Sequence, residues 1–171
     1  MRKWKKNLLI IAIVMLCAFV LLNGVWFVWR GVKYGGYSKN MEKTYSTSTI
    51  VPIYSCTDED GYKYTVLYPN YLSFYRGISL DLIAPEKEGK TIDGLWISPL
   101  TNGKYKYSVL ISEGDESYLM AIDAQGNCSG YSADDENIIV EKYKDSVSVL
   151  LKKANEKWNI KLTWVKGGIY D

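Results

Sequence analysis

The chain has 171 residues, with 21 Lys and Arg against 19 Asp and Glu, three cysteines and no histidine. Without histidine, Ser-His-Asp triads, Cys-His nucleophile pairs, His-ligated zinc and imidazole acid–base catalysis are excluded. Five of the bases fall within the first 30 residues and all the acids fall beyond them, so the remainder carries a net −3, a poor match for nucleic-acid phosphates.

Residues 1–6 form a basic tail, and the 23 residues from Asn7 to Trp29 carry no charge. A helix of about 20 apolar residues crosses the ~30 Å hydrocarbon core of a bilayer. At ~1.5 Å rise per residue, 7–29 reaches about 34 Å, enough to span with some tilt. Trp4 on one side and Trp26 and Trp29 on the other occupy the positions of interfacial aromatic belts and are expected as membrane-interface anchors. A cleaved signal peptide has a shorter apolar region and a small-residue cleavage site. A lipoprotein needs a small residue before its acylated cysteine, whereas Cys17 follows Val14-Met15-Leu16. An uncleaved single-pass signal-anchor is therefore expected, with the lipid bilayer as first partner. Four Lys and Arg precede the span, and Arg30, Lys33 and Lys39 follow it. This balance puts the N-terminus in the cytoplasm and the C-terminal domain outside the cell membrane.

Residues 30–48, with Gly31, Gly35, Gly36 and several Ser and Thr, read as a flexible tether. From residue 49 the pattern changes to period two. Strands are expected over Ile50–Ser55, Tyr62–Tyr68, a broken Leu72–Tyr75 and Ile78–Ala84, Gly94–Leu100, Lys104–Ile111, Tyr118–Ile122 and Cys128–Tyr131. Asn102-Gly103 marks a tight hairpin. Pro99 marks its first strand as an edge strand or one that stops early.

Apolar residues then recur at three- and four-residue steps from Ile139 to Trp158. This predicts one amphipathic helix, with Ser132 as N-cap, acids in its first turn and lysines in its last. Ile160–Val165 is a candidate final strand. The expected class is α+β: an N-terminal transmembrane helix, then over 49–171 an antiparallel β-meander of six or seven strands with one C-terminal helix packed on it.

Sites are sparse, and no cofactor or metal is expected. Asp58-Glu59-Asp60 before Gly61 lacks the ligand spacing of a calcium loop and reads as a solvated turn, as does Asp123–Asn127. Asn127-Cys128-Ser129 matches a glycosylation sequon, relevant only in a eukaryotic secretory pathway. Cys56 and Cys128 are a candidate disulfide in an extracytoplasmic domain.

Fifteen tyrosines all lie beyond residue 30. Tyr62, Tyr64, Tyr105 and Tyr107 alternate with polar residues and form a candidate aromatic surface for an envelope protein or a glycan, provided the helix covers the other face. Asp81, Asp93 and Glu113 are the carboxylates available to a hydrolase. Asp81 stands out, because its strand-like surroundings put it on the wet face or make it specially held. The leading expectation is a non-catalytic envelope binding or scaffold domain. The alternative is an accessory subunit of a secretion, conjugation or transport assembly, recruited through its membrane helix.

Overall fold

The computed structural model describes residues 2–44, 51–73, 77–85, 92–100, 104–113, 116–129 and 134–160. The chain divides into two units, Met1–Gly36 and Tyr37–Asp171.

The first unit is a single helix, α1 (Arg2–Tyr34), long and apolar enough to cross a membrane. It runs five residues past Trp29, because Val32, Lys33 and Tyr34 continue the helix and it stops only at Gly35-Gly36. Asn23, the one polar side chain between Leu8 and Trp29, donates its amide to the Phe19 carbonyl at 2.8 Å. That bond keeps the amide satisfied within its own helix. Near the C-terminal end, Arg30 stacks over Trp26 at 4.7 Å, and Lys33 lies over Trp29 at 4.9 Å.

The second unit is a seven-stranded antiparallel meander in the order β1 to β7: β1 (Glu42–Thr44), β2 (Ile53–Thr57), β3 (Lys63–Leu67), β4 (Ser79–Ile83), β5 (Ile92–Pro99), β6 (Tyr105–Glu113) and β7 (Glu116–Ile122). Two helices follow, α2 (Asp134–Lys142) and α3 (Lys144–Trp158). The α+β class expected from the sequence is the one observed.

One sheet face forms the core. Tyr64, Leu82, Leu95, Val109 and Met120 meet in cross-strand register, as do Val66, Leu80, Ile97, Tyr107 and Ile122, and all ten are buried. Val147, Leu150, Leu151, Ala154 and Trp158 of α3 are also buried. The Trp158 ring meets Tyr64 edge-on at 5.6 Å, which sets α3 on this face.

Several details differ from the sequence reading. Residues 30–48 are not simply a tether: α1 takes their start, and β1 pairs Glu42–Thr44 with β2. Ser38 and Tyr68 hydroxyls lie 2.8 Å apart, as Tyr37 and Tyr105 do at 2.9 Å, tying residues 37–38 to the sheet. β5 is no edge strand, since β4 and β6 flank it. Pro99 is its last residue, beyond Ile97 where pairing with β4 ends, so its missing N–H breaks no β4 bond.

Leu72 adopts φ 56° in a turn rather than a strand. Cys128 makes an isolated bridge to Ile122 instead of opening a strand. The single long helix is two, parted at Tyr143 (φ −108°, ψ 16°) although Val147 N–H still reaches the Tyr143 carbonyl at 3.0 Å. Ser132, Asn102-Gly103 and 161–165 lie outside the described residues, but Leu100 N–H to Lys104 carbonyl at 2.7 Å closes the β5–β6 connection. Ile160 itself is buried and is not in a strand.

Candidate functional site

The face away from α3 carries a different chemistry. Strand alternation sends every second residue there, and the register aligns Glu42, Ser55, Thr65, Asp81, Trp96, Ser108 and Ala121 in one row across all seven strands. Glu42 is exposed and the other six are half-buried. Lys63 and Lys106, both exposed, share the face, and Ile83, Leu110 and Leu119 border it through the Gly94 position.

Asp81 is the unusual member. Ser79 donates its hydroxyl to Asp81 Oδ1 at 2.6 Å. Among the described residues that is its only side-chain partner, and no cation pairs with it. Burial raises its carboxyl above the usual carboxylate range, and the Ser79 bond offsets only part of that rise. A half-buried acid with one oxygen unengaged is costly to keep, and such groups cluster where ligands bind.

Trp96 is the direct cross-strand partner of Asp81. A Cβ at Gly94 would sit 2.8 Å from the Leu82 carbonyl oxygen and 3.4 Å from Cη2 of Trp96. Glycine thus lets β4 approach closely and lets the indole lean along the sheet rather than stand off it.

Comparison with family models, curated proteins and solved structures finds no match to this chain. The site therefore has to be read from its own geometry.

The expected tyrosine surface does not form as a unit. Tyr64 and Tyr107 are buried on the face that α3 covers, and Tyr62 and Tyr105 are half-buried. The condition for the platform, a helix on the opposite face, is not met. Burial pushes the Tyr107 phenol up to about 12, with Tyr105 adding to the shift. Burial also raises that of Tyr64, reinforced by its bond to Asp58. These rings are core.

The acidic turn is also more than solvated. Asp58 N–H bonds the Tyr62 carbonyl at 3.0 Å, and Gly61 supplies the φ of 86° that closes the loop. Lys153 of α3 donates to Asp58 at 3.0 Å and to Asp60 at 2.7 Å, and lies over the Tyr62 ring at 4.4 Å. Its ammonium occupies the place a cation would take. Asp123 closes its own turn by accepting from the backbone N–H groups of Gln125 and Asn127, both at 2.9 Å.

Cys56 and Cys128 are both free thiols, which corrects the disulfide expectation. Cys56 is on β2 and Cys128 is bridged to β7, with four strands between them in the sheet order.

The carboxylates of Asp81 and Asp93 have separate surroundings. Asp81 takes Ser79, Asp93 takes Ser112 beside the β5 bulge, and Glu113 ends β6 opposite Glu116. Trp4 is exposed, Trp29 half-buried and Trp26 buried. A groove of about 590 Å³ lies among Asn127, Cys128, Ile138, Val140, Glu141 and Lys142.

The sequence reading singled out Asp81 and missed both Trp96, its cross-strand partner, and Lys153, the partner of Asp58 and Asp60. Leu95-Trp96-Ile97 is apolar throughout, so alternation alone does not assign Trp96 to a face.

Proposed function

We propose that this chain is a single-pass membrane protein of the cell envelope that holds a binding domain outside the cell, and that the ligand surface is the sheet face around Asp81 and Trp96. The observation that carries the reading is a half-buried carboxylate without a cation partner among the described residues, set beside an indole that leans along the sheet. A purely structural strand would place Ser, Thr or Lys at that position at lower cost.

The membrane assignment is supported by the length and apolar character of α1 and by the cations stacked on rings near its end. Amphipathic cations beside aromatic rings suit the headgroup region. The basic tail supports a cytoplasmic N-terminus.

A photo-reactive amino acid placed at position 96 of the full chain, in living cells, tests the surface. The expected result is an adduct from position 96 and none from the exposed position 152 on α3. Equal labelling at both positions, or at neither, would refute the assignment.

A further inference from the structure

We propose that the occupant of this face is a neutral, hydroxyl-rich glycan, with the C–H face of a pyranose ring on the Trp96 indole and a sugar hydroxyl donating to the open oxygen of Asp81. The inference rests on the reading of this face as the ligand surface and names the chemistry that fits it.

Three observations converge. The Trp96 indole reaches along the sheet to Gly94, its Cη2 3.4 Å from where a Cβ would stand there, and so brings half-buried apolar ring surface alongside Asp81. Asp81 has one oxygen engaged by Ser79 and needs a donor for the other. The rest of the row supplies hydroxyls, with Thr65 and Ser55 to one side and Ser108 to the other, spaced by the ~4.8 Å between neighbouring strands. A chain of sugar rings laid across the strands would meet hydroxyls on β2, β3 and β6 and the carboxylate on β4, with the indole of β5 between them. A pyranose has both an apolar face and a rim of donors, which is what this row lacks.

Charge narrows the choice. Lys63 and Lys106 are exposed on the same face, as is Glu42, and Asp81 lies between them. A polycation would be opposed by the lysines and a polyanion by the acids, so a neutral chain meets the least repulsion. A protein partner packed on Ile83, Leu110 and Leu119 would have to bring a cation to Asp81 past those lysines, or leave the carboxylate sealed without one. Sugar hydroxyls need neither.

The experiment uses the full chain in lipid nanodiscs, titrated calorimetrically with two neutral probes, the β-1,4-linked hexamers of N-acetylglucosamine and of glucose. At least one should bind. Trp96→Ala should weaken that binding about tenfold or more, while Trp96→Phe, which keeps a ring, should stay within about threefold. Asp81→Asn should weaken it measurably with an unchanged circular dichroism spectrum.

If neither hexamer binds at millimolar concentration while the photo-reactive group at position 96 still gives a specific protein adduct, the glycan assignment is overturned and the ligand surface stands. If neither hexamer binds and no adduct forms, both are overturned. Binding that Trp96→Ala leaves intact would also overturn the proposal, since the sugar would then lie elsewhere.

Discussion

Lys153 Nζ lies 3.0 Å from a carboxylate oxygen of Asp58, 95 positions earlier in the chain. The same ammonium reaches Asp60 at 2.7 Å. One side chain of α3 thereby fixes the helix to the β2–β3 turn.

Replacing it by methionine keeps the apolar stem and removes the charge. Lys153→Met should cost about 1 kcal/mol at pH 7, the upper part of the range for partly exposed pairs. The pH dependence has a defined sign. Burial tends to raise the Asp58 carboxyl, but hydrogen bonds from Lys153, from Tyr62 N–H and from the Tyr64 hydroxyl outweigh it and hold it below its usual value. That stability is present above the unfolded carboxylate pKa and lost as pH falls through the lower folded value. Hydrogen bonds to Asp60 and Asp58 raise the Lys153 ammonium. Its contribution is complete below the unfolded lysine pKa and lost as pH rises through the raised folded value. Urea unfolding should therefore show a gap between wild type and variant at pH 7 that closes towards pH 2. A gap unchanged at pH 2 would contradict the ion pair.

Trp158 anchors the other end of α3. Its ring is buried against Tyr64, and its Nε1 is buried without a hydrogen-bond partner among the described residues. Trp158→Ala should cost about 3–5 kcal/mol, the usual loss for emptying an aromatic site. Trp158→Phe should cost much less, because the smaller ring keeps most of the contact and removes an unsatisfied donor. Denaturant midpoints of the two variants separate these cases.

Orientation is accessible through Lys106, exposed on β6. With Cys17, Cys56 and Cys128 changed to serine, Lys106→Cys should react in intact cells with a membrane-impermeant maleimide. The chain should also stay with the membrane through alkaline carbonate. Labelling only after lysis would place the domain inside, and release by carbonate would remove the anchor.

Much of the fold was readable in the sequence because period-two alternation and short polar turns force a meander. The apolar run of α1 was equally plain. What stayed hidden depends on contacts between distant residues. Parity puts Tyr62 with Tyr64, and Tyr105 with Tyr107, on one face of each strand, but only the register between strands and the docking of Trp158 decide that the face of Tyr64 and Tyr107 is the core. A tyrosine hydroxyl suggests water, yet that of Tyr64 is satisfied at 3.0 Å by Asp58.

The pairing of Lys153 with Asp58 has no local signature. Asp81 could be flagged, since Ser79-Leu80-Asp81-Leu82 alternates cleanly, whereas its partner Trp96 sits in an apolar run that carries no parity. The glycines at 31, 35 and 36 suggested a tether over 30–48. The continuation of α1 through Gly31 to Tyr34 and the pairing of Glu42–Thr44 with β2 prevailed at its two ends.

The central claim is that Asp81 is kept for a ligand at the expense of stability, and the pH-dependent stability of Asp81→Asn tests it most directly. Burial raises the folded carboxyl above its unfolded value, so the native state holds the proton more tightly. Stability should then fall as pH rises from the unfolded value through the folded one. The asparagine variant removes that decline. It should melt at a higher temperature than wild type at pH 7, with the difference shrinking below the unfolded carboxylate pKa. An asparagine variant less stable than wild type at pH 7 would show that the carboxylate serves the fold, and would contradict the account.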